Sequence, residues 1–270
     1  MSTELTLLTE RENASDRLFA DIPTVFINLD KREDRRHHVE EELRKLGMTT
    51  VQRFPAIRHA RGAWGCAMSH IRALEIAISH NWDSVFICED DIEFENPTLL
   101  CGQFKLFVEN TPQWDVAIIG GHLNPPFSNL TDHSCRIFNC QTTTGYVVKK
   151  HYMKILHSNF VQGLRSFMKW PSRKLQFAID IYWKHLQTTD KWFVILPMTV
   201  TQYVNFSDIE DSVVNYGRMM IKKITPAVVS AGGSERQRVT VVEDGRNERQ
   251  RVTVVSAGGS EPRQPKKFLM

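Results

Sequence analysis

Val85-Phe86-Ile87-Cys88-Glu89-Asp90-Asp91-Ile92 runs four apolar residues straight into three carboxylates, and an apolar residue follows them. A buried strand with that ending sets its charges at the lip of a sheet. Ligands of open α/β sheets bind there, beyond the carboxyl ends of the strands. Adjacent like charges raise one another's pKa values unless a cation neutralises them. The pattern points to a hard divalent metal held by carboxylate oxygens, with a phosphate supplying further ligands. A solvated strand end is the simpler alternative.

Outward from this stretch, strands and helices alternate. Residues 24–29 (T-V-F-I-N-L) are a short, β-branched apolar run and read as a first strand. Residues 34–46 are charged, but Val39, Leu43 and Leu46 repeat at helical spacing, with Gly47 as a stop signal. Residues 50–57 read as a strand closed by Pro55. Residues 66–80 read as a helix with Ala67, Ile71, Leu74 and Ile78 on one face. Beyond the acidic stretch, 99–108, 151–160 and 175–186 read as helices. Residues 114–119, 135–149 and 192–200 read as strands, the first of them ending in Gly120-Gly121. Such alternation predicts an α/β fold, a mainly parallel sheet with helices on both faces. Gly and Pro after the strands place loops at one edge, where a site can be built.

The chain has 270 residues, 41% hydrophobic and 24% charged, enough for a core of ordinary size without staples. The net charge of +3 resides wholly in residues 231–270, which hold eight Lys/Arg and five Asp/Glu, so the rest of the chain is neutral. That balance argues against a nucleic-acid partner and allows at most a weak peripheral membrane association. The five cysteines form no Cys-x-x-Cys pair, so neither a zinc ribbon nor a disulfide framework is expected. The first 20 residues are polar and do not read as a signal peptide, and no apolar run is long enough to span a bilayer. A cytoplasmic setting is the default expectation.

Residues 228–235 recur, residue for residue, as 254–261, and 235–242 recur as 248–255. The composition of this tail predicts a disordered or weakly structured appendage. A hairpin between its two V-T-V-V runs is the alternative. The expected organisation is an arm over 1–21, one domain over 22–222 and a repetitive tail over 223–270.

Further stretches carry chemistry. Asn28, Asp30 and Arg32 close the first strand. Asp and Arg at such a tip can bind a base and ribose, or can simply cap the following helix. Gly65 to His70 opens the second helix, and His70 reads either as a substrate contact or as a core-edge histidine. Gly120-Gly121-His122 and Thr142 to Tyr146 supply small and hydroxylated residues, as sugar and phosphate sites do. Asp180 lies in the apolar run F-A-I-D-I-Y-W, where desolvation raises a carboxylate pKa toward that of a useful base. A helix-surface Asp is the bland alternative.

In this order, N-L-D-K-R-x-D-R, R-G-A-W-G-C-A-M-S-H and F-I-C-E-D-D-I resemble family 25 glycosyltransferases. That family includes lipopolysaccharide glycosyltransferases and collagen galactosyltransferases. W-D-V-A-I-I-G-G-H (114–122), T-T-G-Y-V-V (143–148), I-D-I-Y-W (179–183) and Q-Y-V-N-F-S-D-I (202–209) extend the resemblance over residues 23–210. It implies a GT-A type, Rossmann-like fold with a UDP-sugar donor at the strand tips. Glu89 and Asp91 would then flank Mn²⁺ or another divalent cation on the donor diphosphate, with Asp90 toward the ribose. Asn28, Asp30 and Arg32 would contact the nucleoside. Ser69 and His70 would shape the donor pocket, with Gly121 and His122 also on the donor side. Enzymes of this fold commonly add a late histidine to the metal. No histidine follows His185, so Asp208 is the candidate ligand.

The family inverts configuration, which requires a base, and Asp180 matches its acidic position. Galactose is the expected sugar, and a glycan, a lipid-linked glycan or a protein the expected acceptor. Trp170, Trp183 and Tyr203 are candidates to stack on sugar faces. A metal-dependent nucleotidyltransferase or phosphohydrolase, and an inactive nucleotide-sugar-binding module, are the alternatives.

Overall fold

The computed structural model describes residues 17–209, 212–215, 217–220, 223–226, 238–242 and 250–253. The main sheet takes β1 (Thr24–Asn28), β2 (Val51–Pro55) and β3 (Ser84–Glu89) from the first third of the chain. A short β4 (Ile92–Phe94) stands apart from it. β5 (Val116–Leu123), β6 (Phe127–Ser128), β7 (Ser134–Ile137), β8 (Cys140–Lys149) and β9 (Trp192–Ile195) complete the main sheet. The strand order is β2-β1-β3-β8-β5-β9-β7-β6. β1, β2, β3, β5, β6 and β9 run one way, and β7 and β8 run against them. The sheet is therefore α/β and mainly parallel in strand direction, with two reversed strands set into it.

Strand alternation sends side chains to two cores. Val25, Ile27, Val85, Ile87, Ile118 and Val148 point one way, where α2 (Gly62–Ser79) and α4 (Lys150–Lys169) cover them. Phe26, Phe86, Cys88, Ala117, Val147 and Phe193 point the other way, under α1 (Glu33–Lys45) and α3 (Pro97–Asn110). A sheet buried on both faces explains why these strands read as continuous apolar runs. α1 carries Glu33 and Asp34 in its first turn and Arg44 and Lys45 in its last, favourable to its dipole. It stops at Gly47, φ +69°, where the Gly47 and Met48 amides return to the carbonyls of Arg44 and Leu43.

The two connections on either side of β1 fix the site. From β1 the chain passes through α1 to β2 on one side. From β2 it passes through α2, over the opposite face, to β3 on the other side. The strand order reverses between β1 and β3, so a crevice opens at their carboxyl ends.

Several expectations need adjustment. Gly120-Gly121 does not end the strand at 114–119, because β5 continues through both glycines to Leu123. Close packing requires them. A Cβ on Gly120 would lie 2.8 Å from Val200 Cγ1, and one on Gly121 2.8 Å from Cys140 Sγ. The helix expected at 66–80 begins at Gly62, which puts Gly65 in its first turn. The helix at 175–186 is broken into α5 (Lys174–Phe177), α6 (Ile179–Tyr182) and α7 (Lys184–Thr189). The strand at 192–200 divides into β9 and β10 (Val200–Gln202), which pairs with β4.

Within the segment expected as an arm, Phe19 is buried against Phe86 and Phe104, and residues 1–16 lie outside the described residues. After β10 come the hairpin β11 (Asn205–Ser207) and β12 (Ser212–Val214), and the short α8 (Gly217–Met220). In the tail, β13 (Lys223–Pro226), β14 (Arg238–Val242) and β15 (Gln250–Thr253) form an antiparallel sheet, in which Val239 faces Val252 across the two repeat copies. The remaining tail residues lie outside the described residues. Among the described residues, no helix is long and apolar enough to cross a membrane.

Gly65 supports a stability prediction. A Cβ there would stand 2.3 Å from the Ile57 carbonyl oxygen, a backbone atom. Gly65→Ala gains helix propensity of about 1 kcal/mol, but overpacking of this kind costs about 1–3 kcal/mol. A net loss in urea denaturation is the expected result. A stabilised variant would show that the loop before α2 yields freely.

Candidate active site at the β1/β3 crevice

Asn28 ends β1 fully buried, and its side chain links three segments of the chain. Its Nδ2 donates to Asp90 Oδ2 at 2.7 Å and to the Arg32 carbonyl at 3.0 Å, while Arg53 Nε donates to its Oδ1 at 3.0 Å. Arg35 reaches from the first turn of α1 across the crevice. Its guanidinium bonds Asp90 Oδ1 at 2.8 Å and lies 3.2 Å from Asp91 Oδ2. Asn205 accepts from the same guanidinium. Sequence reasoning placed the acidic cluster but not its cation. Arg35 was visible only as the second arginine of D-K-R-x-D-R.

The three carboxylates have different surroundings. Burial raises Asp90, against the opposing pull of Arg35 and Asn28. Asp91 is pushed up to about 7, first by burial and then by the charge of Glu89, with Arg35 opposing. Burial also pushes Glu89 upward, but His70, Thr143 and Arg35 outweigh it and hold Glu89 below its ordinary value. His70 Nε2 lies 3.2 Å from Glu89 Oε1, and Thr143 Oγ1 donates to that same oxygen at 2.5 Å. The reversed strand β8 supplies Thr143, because Gly145 faces Cys88 in the sheet. β10 supplies Gln202 by pairing it with Ile92. Gln202 Nε2 donates to both Glu89 Oε2, at 3.4 Å, and Asp91 Oδ1, at 3.3 Å.

A cavity of about 710 Å³ opens over these groups. Ser69, His70, Glu89, Asp90, Asp91 and Asp208 line it, so six of the candidates from sequence meet at one place. Ser69 is fully engaged: its Oγ accepts from the Ile57 amide and donates to the Gly65 carbonyl, each at 2.8 Å. It fixes the cavity wall to α2. Asp208 is committed to cations, bonded to Arg32 Nη1 at 2.8 Å and to Lys31. Burial pushes the Asp208 carboxyl up, but these two cations bring it below the ordinary value.

The other candidates stand apart from the lining. Asn28 braces the floor from beneath. Asp30 is largely exposed and pairs with Arg53 at 2.6 Å. Arg32 is held by Asp34 and Asp208. Gly121 and His122 belong to β5, which β8 separates from β3. Trp183 is fully buried and donates to the Cys140 carbonyl at 3.0 Å, a core role, whereas Tyr203 stacks on His38 and Trp170 sits among Lys169 and Arg173.

Asp180 occupies the first turn of α6. Its Oδ2 accepts from the Thr142 amide at 3.2 Å. Thr142 adopts φ +72°, a conformation that costs a β-branched residue about 1–3 kcal/mol. That strain aims the Thr142 amide at Asp180. Burial raises the Asp180 pKa, the Thr142 amide opposes this, and the charge of Glu89 adds to the rise. Asp180 is not among the residues that line the cavity, and its raised pKa is the property a general base would need.

No protein-family model and no curated protein matches this chain. Solved structures do. A mannose-1-phosphate geranyltransferase from Thermus thermophilus aligns at 9% identity and TM-score 0.40, over 65% of this chain and 73% of that one. A glycosyltransferase involved in glycosylating the major capsid of PBCV-1 aligns at 11% and 0.35, over 65% and 93%. A nucleoside-diphosphate-sugar pyrophosphorylase from Vibrio cholerae aligns at 14% and 0.36, over 70% and 80%. Scores this low leave the function to be read from the chain's own residues.

Proposed function

We propose that this chain is an inverting, family 25-like glycosyltransferase. It moves a sugar, galactose by the family resemblance, from a UDP-sugar to a hydroxyl of a glycan or protein acceptor. The observation that carries the reading is the carboxylate pair Glu89–Asp91 at the β1/β3 switch point, with the desolvated Asp180 near enough for Glu89 to raise its pKa. The cavity's further basic groups, Lys31 and Arg58, suit a diphosphate.

The donor set fits a divalent cation. Three carboxylates face one guanidinium and His70; burial, then the charge of Glu89, pushes Asp91 up to about 7, and a bound cation would oppose both. Glu89 Oε2 and Asp91 Oδ1 already share one partner in Gln202. With its amide turned end for end, Gln202 presents Oε1 to the same point, which makes it a better third ligand than the cation-bound Asp208. A divalent ion bound there, Mn²⁺ by the resemblance, would neutralise charge developing on the departing diphosphate. Asp180 takes the proton from the acceptor hydroxyl as that oxygen attacks the anomeric carbon opposite the nucleotide. Asn28 and Arg35 hold Asp90 and Asp91 in place.

Asp91→Ala is expected to weaken Mn²⁺-dependent UDP binding by at least about 100-fold. Loss of a group that merely supports a ligand costs about 10- to 100-fold. Calorimetry with and without Mn²⁺ reads this, and unchanged binding removes Asp91 from the metal site. The function itself is tested by incubating the protein with a set of UDP-sugars and Mn²⁺. Release of UDP with sugar transfer or hydrolysis supports the reading. Transfer of a phosphoryl or nucleotidyl group with no sugar acceptor assigns the chain to the nucleotidyltransferases instead.

A further inference from the structure

Glu89 presents two oxygens to two different environments. Oε2 faces Gln202, whose amide also reaches Asp91, as described above. Oε1 faces Cys66 and His70 on α2. These two residues are four apart, so they share one face of the helix. One ligand atom from each of Cys66, His70 and Glu89 lies within 4.8 Å of the other two.

We propose that Cys66, His70 and Glu89 form a three-ligand site for a zinc-type ion on the cavity floor. Ligands around a tetrahedral zinc stand about 3.3–3.8 Å apart, given its bond lengths. The two separations to Glu89 Oε1, 3.9 Å from Cys66 Sγ and 3.2 Å from His70 Nε2, are close to that spacing. A thiolate, an imidazole and one carboxylate select a borderline-soft ion over Mn²⁺ or Mg²⁺. The supporting contacts are also in place. His70 Nδ1 lies 2.8 Å from the buried Tyr146 hydroxyl, which can accept from Nδ1–H once a metal takes Nε2 from its pairing with Glu89. Thr143 steadies the Glu89 oxygen. All three ligands line the cavity, which supplies the open fourth position. On binding, the Cys66 thiol gives its proton to solvent and its sulfur bonds the ion.

A consequence rests on the function proposed above. Two dications sharing one carboxylate repel, so zinc at Cys66–His70–Glu89 weakens hard-cation binding at Glu89 Oε2 and Asp91 and inhibits the enzyme. Reversible coupling of this kind is expected to be about tenfold or more.

The binding test needs no sugar donor. Metal-free full-length protein is titrated with Co²⁺ as a spectroscopic probe, followed by Zn²⁺. A thiolate-to-cobalt charge-transfer band that Zn²⁺ abolishes is expected in the parent and in Cys101→Ser, and is expected to be lost in Cys66→Ser. Tyr146→Phe keeps the band and weakens binding by about 10- to 100-fold. Absence of the band from the parent, or its survival in Cys66→Ser, overturns the site. The consequence is read separately, as the Mn²⁺ dissociation constant with and without one equivalent of Zn²⁺. An unchanged constant overturns the inhibition and leaves the zinc site standing. Failure of UDP-sugar turnover removes the enzymatic reading but does not touch the cobalt band.

Discussion

Asp180→Asn is expected to lower kcat by about 10²- to 10⁴-fold while leaving donor affinity unchanged. That is about 3–5.5 kcal/mol of barrier. The asparagine fills the same volume, and its carbonyl still accepts from the Thr142 amide, so the strained turn at Thr142 keeps its partner. What it loses is the ability to take a proton. The pH profile supplies a second reading. A base works only when ionised, so the parent's kcat/KM should fall as pH drops through the Asp180 pKa. Burial places that pKa above the 3.8 of an ordinary aspartate, so the fall comes at correspondingly higher pH. In Asp180→Asn this acid limb should vanish along with most of the rate. Full turnover would show that another group is the base. A parallel loss of donor affinity would place Asp180 in donor binding.

The alternation of strands and helices was legible because two-sided burial leaves its mark on the central strands of the main sheet. Val25 to Ile27 of β1 and Val85 to Cys88 of β3 are apolar without a break, with no polar face to confuse the period. The acidic triplet was legible for the same reason, since charge can follow so buried a strand only at its end. The order of the sheet was not. The reversed strand β8 enters between β3 and β5, and nothing in its T-T-T-G-Y-V-V run records its direction. Glycine misled in the opposite sense. Gly120 and Gly121 read as punctuation, although they serve close packing inside β5. The long helix at 175–186 failed because its periodicity survives the two breaks that put Asp180 in a first turn.

In the site, residue types were easier to foresee than partners. Asp208 looked like a spare ligand, since the sequence does not show that Lys31 and Arg32 fold back onto it from 176 or 177 positions away. Gln202 was overlooked because a lone glutamine ahead of Y-V-N-F-S-D-I carries no charge pattern. Its place beside Glu89 and Asp91 comes from the β4–β10 pairing, a contact more than 100 residues distant in sequence. His70 reads from sequence as a lone histidine, and Cys66 carries no signal of its own there. Only the end of β3, brought against α2, makes them a pair with Glu89.

Arg35→Met is expected to destabilise the metal-free protein by about 3–5 kcal/mol, the cost of leaving buried charge without its partner. Both Asp90 and Asp91 lean on this guanidinium, and its side chain is only 11% exposed. Methionine keeps most of the apolar stem, so the loss reports charge rather than volume. The sign with pH follows from the two carboxylates. Both already titrate above the unfolded value of 3.8, so the native state holds protons that the unfolded chain has released. Stability therefore falls as pH rises from about 4 to the native pKa values, and is level beyond them. Removing Arg35 raises those native values further. The deficit of Arg35→Met should thus be smallest near pH 4, where the native carboxylates of parent and variant are most alike in protonation, and should grow through neutrality. Urea denaturation at pH 4.5 and 7.5, in a chelator, reads both points. Added Mn²⁺ should then recover part of the deficit at pH 7.5, because an ion that binds only the folded site stabilises it. A deficit equal at the two pH values would mean that Arg35 acts by packing alone. Stabilities of parent and variant both left untouched by Mn²⁺ would detach Asp91 from any cation site.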